Sequence, residues 1–291
     1  MLRFVLPCLL PFTWAIIGAD SIDSLAKIAA DKNADMAARV AAVQKLGQAG
    51  AAAKPAVPSI AAAYEEFLLF QDANKDIIEG RRQPTPAEEE KLMKTIDKIG
   101  ELYHSCATAL SDIGPDAAAA LPVLLKDLKQ NKAGIAGGTI LKIDPNRAVE
   151  VNEIMIVVQI KLWIYLQGRG LERTKAYAMN YKDLENFGRE PPLKDEPLPP
   201  WDYRIRFLTA QSERAQGGKQ SYLADGIATK GYGFVVYPAA YGKTANRTFV
   251  VVKAGAAPEK TYRADLGPKT REIVEKMTEW DPQDAWKEGL E

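Results

Sequence analysis

An internal repeat in the first half of the sequence limits the fold more than any other feature. Residues 40–64 (VAAVQKLGQAGAAAKPAVPSIAAAY) align with residues 104–128 (HSCATALSDIGPDAAAALPVLLKDL) at a constant offset of 64 positions. The matched pairs include Leu46 with Leu110, Gly50 with Gly114, Ala53 with Ala117, Pro58 with Pro122 and Ile60 with Leu124. A weaker third copy begins at residues 140–148. A repeat of this kind predicts that one local structure occurs more than once.

Each copy is predicted to form a helix, a glycine-containing turn and a second helix. Gly50 and Gly114 can adopt the left-handed conformation that ends the first helix. Pro58 and Pro122 suit the first turn of the second helix, where the N–H that proline lacks has no partner within the helix. Apolar residues then recur at helical spacing, at Val57, Ile60, Tyr64, Phe67 and Leu68 in one copy and at Leu121, Leu124, Leu125 and Leu128 in the other.

This pattern extends over residues 24–148 and resembles HEAT-type helical repeats, in particular an alanine-rich variety with an Ile-Gly-Pro turn. The resemblance implies an α-helical, HEAT-like solenoid. The offset of 64 exceeds the roughly 40–47 residues of such repeats. The excess falls in residues 70–90, where we expect a helix end, a polar turn and a new helix. Two unrelated alanine-rich hairpins are the alternative.

A change in composition predicts a domain boundary near residue 148. Residues 20–148 contain 27 alanines and four aromatic residues, whereas residues 149–291 contain 14 alanines and 17 aromatic residues. Alanine favours helices, and aromatic and β-branched residues favour strands. We therefore expect helical repeats over 20–148 and an α+β domain over 149–291. Residues 149–167 are apolar on most sides, which predicts a helix packed between the repeats and a sheet.

The first 19 residues have the layout of a secretory signal peptide. Arg3 precedes an apolar run of about 14 residues, too short to span a bilayer, and the small residues Gly18 and Ala19 follow it. We expect cleavage after Ala19, export to the periplasm or the extracellular space, and no integral membrane span in the mature chain. An uncleaved anchor is the alternative. The 38 basic and 38 acidic side chains do not indicate nucleic acid as a partner.

The C-terminal half alternates strand-forming runs with turn residues. The runs are residues 202–210, 220–226, 230–238, 247–253 and 260–266. This pattern is typical of an antiparallel meander. Helical signal is also expected from Gly170 through residue 187, and a helix of three turns over residues 267–280 is expected to pack on the sheet.

The order of motifs in this half resembles a known family. The strings WDYRIRFLTAQ, GGKQSYLADG, GYGFVVYPAAYG, TFVVV, DLGPKT and WDPQDAW are similar to the end of the bacterial domain-of-unknown-function 2950 family, over about residues 177–286. The helical repeats stand where that family has a different N-terminal portion. The resemblance implies an exported protein with a pilin-like α+β domain, a long helix laid on an antiparallel sheet. It implies no activity and no catalytic residue.

Few residues in the chain carry recognisable chemistry. His104 is the only histidine; it aligns with Val40 and is expected at a packed helix position. Cys106 lies two positions on, and side chains at that spacing point to different sides of a helix. A zinc site needs three or four nitrogen, sulfur or carboxylate ligands, which the sequence does not supply. We therefore assign no catalytic residue, no metal and no cofactor.

One surface hypothesis rests on aromatic residues near strand ends and loops, where rings often contribute to recognition surfaces. The candidates for a binding surface are Trp201, Tyr232, Tyr237 and Tyr241. The alternative is that these rings belong to the core of a small sheet.

The favoured function is an exported, non-catalytic scaffold or protein-interaction module of the cell envelope with a protein partner. A hydrolase using carboxylates of the C-terminal half is one alternative, with Asp202, Asp225, Asp265 and Asp281 as its candidates. A pseudopilin-like secretion component is another.

Overall fold

The computed structural model describes residues 19–78, 80–131, 134–187 and 202–290. A helix-rich N-terminal half is followed by a strand-rich C-terminal domain with antiparallel sheets. The chain divides into two compact units between Val123 and Leu124. Ala148, where the composition changes, is the first residue of a long helix in the second unit. The domain boundary at that position stays a prediction, and the signal peptide lies almost wholly outside the described residues.

Helices form the first unit. In chain order they are α1 (Ala19–Ala30), α2 (Met36–Gln48), a 3-10 helix (Gly50–Ala56), α3 (Val57–Ala73), α4 (Lys75–Ile78), α5 (Pro86–Ile113), a second 3-10 helix (Gly114–Ala120) and α6 (Leu121–Asn131), which crosses the division. Side-chain caps define two of the starts. The Asp35 carboxylate accepts from the N–H of Ala38 at the start of α2. Thr85 and Glu88 form a reciprocal capping box at the start of α5.

The sequence repeat is also a repeat of local structure. The 3-10 helices Gly50–Ala56 and Gly114–Ala120 both contain seven residues and begin 64 positions apart, and α3 and α6 follow each directly. Gly50 and Gly114 have φ angles of +56° and +68°, a region that residues with a Cβ rarely adopt. The predicted helix, glycine turn and second helix are therefore present in both copies.

Helices and strands together form the second unit. The helices are α7 (Gly134–Ile143), a 3-10 helix (Pro145–Arg147), α8 (Ala148–Thr174), α9 (Tyr181–Asn186) and, late in the chain, a 3-10 helix (Gly267–Lys269) and α10 (Thr270–Lys276). The strands are β1 (Tyr203–Leu208), β2 (Ala210–Gln211), β3 (Gln220–Ser221), β4 (Leu223–Ala224), β5 (Ile227–Ala228), β6 (Gly231–Pro238), β7 (Arg247–Ala254), β8 (Lys260–Asp265), β9 (Glu279–Trp280) and β10 (Lys287–Glu288).

The main sheet has the strand order β1-β6-β7-β8-β10, and every neighbouring pair is antiparallel. Two small sheets accompany it, β3-β2-β9 and β4-β5. The strands β6, β7 and β8 form the predicted meander. Residues 220–226 do not join it, because they lie in the small sheets, and β1 therefore pairs directly with β6.

The main sheet is covered on both faces. On one face α8 and α9 contribute Ile156, Ile160, Trp163 and Leu184 to a core with Phe234, Phe249 and Val251. On the other face Val274 of α10 and Trp280 pack with Val235, Tyr237, Val250 and Val252. We call these the α8-side core and the α10-side core. Since both faces are buried, the central strands β6 and β7 are apolar almost throughout, rather than alternating.

Two helix predictions for this unit need correction. The helical signal after Gly170 is interrupted rather than continuous, because Lys175 adopts a left-handed conformation with φ of +62° and ends α8, and the helix resumes only in α9. The buried Gln167 holds the turn that follows: its Nε2 donates to the carbonyl of Ala178 and its Oε1 accepts from the same residue's N–H. The final helix is also shorter than predicted, since Met277 is extended and the chain continues into β9.

Candidate functional site

The first unit contains a seam where α2 and α5 run side by side in parallel, and we call it the α2/α5 seam. Met36 at the start of α2 lies with Ile99, and Gly47 near its end lies with Asp112. A Cβ on Gly47 would lie 2.9 Å from the Cα of Ala109, closer than side chains approach a backbone. Glycine therefore allows the two helices their closest approach at this point. The repeat register makes these two helices equivalent.

A polar groove of about 280 Å³ opens at the close end of the seam. Gln44 and Gln48 line it from α2, and His104, Ser105, Thr108 and Asp112 line it from α5. Together they offer two amides, two hydroxyls, an imidazole and a carboxylate. Such groups can hydrogen-bond both the N–H and the C=O of a bound chain. The groove can therefore recognise a polar ligand or a polypeptide backbone.

A second, charged groove of about 460 Å³ lies toward the start of α2. Its apolar side chains are Met36 and Ile99, and its charged ones are Glu90, Lys91, Lys94 and Lys98. Lys94 donates to Glu90 at 2.6 Å along the same helix. Three lysines against one glutamate give this end of the seam a positive surplus.

A buried ion pair joins α1, α2 and α3 in the same unit. Arg39 of α2 is almost fully buried. Its guanidinium donates two hydrogen bonds to the Glu66 carboxylate of α3, at 3.0 and 2.7 Å, and a third to the Ala29 carbonyl of α1 at 3.0 Å. This bidentate geometry is the strong form of such a pair.

His104 and Cys106 face different sides of α5. His104 is exposed in the polar groove, with its ring edge against Tyr103 at 5.3 Å. Cys106 is fully buried, and burial raises the pKa of its thiol far above the usual range. A thiol of that kind is a poor nucleophile. The packed position expected for His104 is wrong: Val40, its match in the repeat, is buried, whereas His104 is not.

The structure separates the tyrosines proposed as a binding surface. Tyr232 is buried in the α8-side core, where its hydroxyl donates to Glu259, and Tyr237 is buried in the α10-side core. Tyr241 is half-buried, and its hydrogen bond with Asp265 raises its pKa. Trp201 lies outside the described residues. The rings of Tyr232 and Tyr237 therefore lie on opposite faces of the sheet and share no surface.

Two of the four candidate carboxylates, Asp265 and Asp281, have local partners. Asp281 accepts from Arg214 and from Ser212, and these hydrogen bonds, that of Arg214 first, lower its pKa. Asp265 accepts from the N–H of Gly267 at 2.9 Å. Asp202 and Asp225 both have φ of +52°, a conformation typical of aspartate in turns.

Glu259 has a different electrostatic environment, because burial raises its pKa and the hydrogen bond from Tyr232 only partly offsets that effect. Within the ranges that the structure describes, no group of three or more histidine, cysteine or acidic side chains could hold a metal ion. No helix in those ranges is both long and apolar enough to cross a bilayer.

Comparison with known proteins identifies one similarity. Residues 184–288 match the model of a family described as a protein of unknown function (DUF2950). This confirms the resemblance predicted from the C-terminal motifs. No curated protein and no solved structure matches the chain.

Proposed function

We propose that the protein is exported and works without catalysis, as a scaffold or protein-interaction module of the cell envelope. In this proposal the N-terminal half is a HEAT-like solenoid whose α2/α5 seam binds a protein partner, and the C-terminal half is a pilin-like α+β domain. The observation that carries the proposal is the parallel packing of α2 against its repeat-equivalent α5. Stacked repeats place equivalent helices in this way and form extended binding surfaces.

The chemistry of the seam supports a protein rather than a small molecule as the partner. The polar and charged grooves follow one another along the same pair of helices. Both grooves are open to solvent and are lined by flexible, mostly exposed side chains, whereas sites for small molecules enclose most of the ligand surface. An extended, open surface with hydrogen-bonding groups at one end and a positive surplus at the other suits a polypeptide that carries acidic residues.

Site-specific photo-crosslinking in the native organism tests this proposal. A benzophenone amino acid at Gln44, in the polar groove, is expected to give a discrete cross-linked protein. The matched control is Lys45, which is exposed on the same helix but does not line the groove. Thr108→Arg should fill the groove and abolish the cross-link from position 44 without affecting folding. Equal products from both positions, or none from Gln44, would contradict the proposal.

Export is tested separately by fractionation and N-terminal sequencing of the native protein. We expect the protein in the periplasm or the medium, with a mature chain beginning at Asp20. A chain that keeps Met1 and fractionates with the cytoplasm would rule out export. The binding of a partner by the seam would then be tested only by the cross-linking experiment.

A further inference from the structure

The outer edge of β1 presents backbone groups that β6 does not use. Ala239 donates to the carbonyl of Asp202 at 2.8 Å, and these residues are opposite each other in the β1–β6 register. Hydrogen-bonded and non-hydrogen-bonded pairs alternate along an antiparallel ladder. Arg204 and Arg206 therefore bond to β6, whereas the N–H and C=O groups of Tyr203, Ile205 and Phe207 point away from it.

The β6–β7 pair confirms this assignment. Gly255 donates to the carbonyl of Lys230 at 2.7 Å, so the even-numbered residues of β6 bond to β7. Its odd-numbered residues, Gly233, Val235 and Tyr237, are then left for β1, in agreement with the β1–β6 register. In the described part of the chain, β1 is an edge strand of the main sheet.

The side chains of β1 differ between the two sides of this edge. Ile205 and Phe207 pack against the α8-side core while remaining partly exposed. Arg204 and Arg206 lie on the α10 side, where Arg206 donates to the Met277 carbonyl at 2.6 Å. An added strand would meet apolar side chains on one side and guanidinium groups on the other.

Among the described residues, the positive charge at this edge is not balanced by an ion pair. The charged groups around Tyr237 are Arg204, Arg206, Arg271 and Glu275. Glu275 already accepts from Arg271 at 2.7 Å. Among the residues that the structure describes, no carboxylate forms an ion pair with Arg204 or Arg206, so two positive charges remain available to a partner.

We propose that the β1 edge binds an extended polypeptide by strand addition, and that the bound segment alternates acidic with apolar residues. The backbone groups of Tyr203, Ile205 and Phe207 would supply the hydrogen bonds, as in other complexes formed by β-augmentation. The acidic residues of the segment pair with Arg204 and Arg206 across the strands, and its apolar residues pack beside Ile205 and Phe207. This site is independent of the α2/α5 seam.

Fluorescence anisotropy with labelled peptides and the full chain tests the proposal. The probe is a peptide in which glutamate alternates with valine, and the control peptide has lysine in place of glutamate. We expect the glutamate peptide to bind and the lysine peptide to bind at least about tenfold more weakly. Equal affinities, or no binding of the glutamate peptide, would overturn the proposal.

Two variants of the protein sharpen the test. Ile205→Pro removes an N–H that faces outward, which edge strands tolerate, and should abolish binding. Its matched control, Ile205→Thr, keeps the N–H and should bind within about twofold of the wild type, because threonine also suits a strand. Unchanged binding by Ile205→Pro would exclude strand addition.

Arg204→Glu tests the charge complementarity, since the Arg204 side chain is exposed. Reversing this charge should weaken the binding of the glutamate peptide about fivefold and strengthen the binding of the lysine peptide. A variant that binds both peptides as the wild type does would refute the assigned role of Arg204. Circular dichroism and thermal melting of each variant establish that it is folded.

Discussion

Arg39 is almost fully buried, and protein groups rather than water compensate its charge. The Glu66 carboxylate and the Ala29 carbonyl accept its hydrogen bonds, so one side chain joins α1, α2 and α3. A buried charge that loses its partner is costly, whereas the replacement of both partners by apolar residues is often tolerated. The stability of the first unit should therefore depend on the pair being complete.

Glu66→Leu should destabilise the first unit by about 3 kcal/mol, because it leaves the Arg39 charge buried without a counterion. The double variant Arg39→Met/Glu66→Leu should recover most of that loss. Urea denaturation followed by circular dichroism gives both values. A double variant no more stable than Glu66→Leu would contradict this explanation. Lys54→Ala is the matched control, since its ion pair with Asp116 is exposed, and no measurable change is expected.

The residues of the candidate site were only partly predictable from sequence. Motif searches favour aromatic, histidine and carboxylate residues, and they led to Tyr232 and Tyr237, which the sheet buries on opposite faces. The α2/α5 seam is lined mainly by glutamines, serine, threonines and lysines, which are common on any helix surface, and its His104, Asp112 and Glu90 belong to no recognisable motif. The sequence feature that could have indicated the seam is Gly47, which lies inside a helical pattern. A glycine at such a position often marks a close approach of two helices.

At the scale of elements, the first half of α5 depends on its N-terminal cap. Residues 86–99 are exposed or only partly buried, so packing contributes little to their stability. The Thr85 hydroxyl accepts from the N–H of Glu88, and the Glu88 carboxylate accepts from the N–H of Thr85 at 2.8 Å. Arg82 also donates to Glu88.

Thr85→Ala should therefore increase fraying at the start of α5. The loss of such a cap costs about 1 kcal/mol, which corresponds to about fivefold faster amide exchange over residues 86–96. Hydrogen exchange with mass spectrometry measures this effect. The buried second half of α5 serves as the internal control, and an equal acceleration there would show global destabilisation rather than loss of a cap.

The same cap should depend on pH. The pKa of Glu88 is lowered from its usual 4.5 to about 2. The main cause is the hydrogen bond from the backbone N–H of Thr85, followed by those with Arg82 and with the Thr85 hydroxyl. A carboxylate whose pKa is lower in the folded state stabilises that state above its unfolded pKa. The stabilisation of the helix start should be complete above about pH 4.5 and should be lost as the pH falls toward 2. NMR titration of the Glu88 carboxyl carbon should give a low midpoint that rises in Arg82→Gln; an unchanged midpoint would exclude the contribution of Arg82.

Sequence patterns predicted the regular elements better than the irregular ones. The repeat register located the two turns at Gly50 and Gly114, because few residues other than glycine can adopt the required φ angles; that each turn is a 3-10 helix was not predicted. The end of α8 was missed, because its left-handed residue is a lysine and its turn depends on Gln167, 11 positions before its partner Ala178. Strands β9 and β10 contain two residues each, too few to show any periodicity.

At the scale of the whole molecule, the chain divides into two compact units, and each contains buried apolar side chains. We expect two unfolding transitions, because each unit buries its own apolar side chains. Glu66→Leu should lower the midpoint of one transition. Gly231→Ala should destabilise the second unit by about 2 kcal/mol or more and so lower the midpoint of the other transition, since a Cβ at Gly231 would lie 2.1 Å from the carbonyl oxygen of Lys253.

Differential scanning calorimetry of the full chain and the two variants measures both transitions. Hydrogen exchange assigns each one to residues before or after the division at Val123. A single transition that both variants shift together would show that the units unfold as one cooperative body, in contrast to the expected independence.

The turn between α4 and α5, residues 80–85, separates the two repeat copies without belonging to either. Because Gly80, Arg81, Arg82 and Gln83 are exposed, this is where the chain can lengthen at little thermodynamic cost. Inherited insertions that make relatives of different size would accumulate here, and an epitope tag or a fluorophore placed in this turn could follow the protein in living cells.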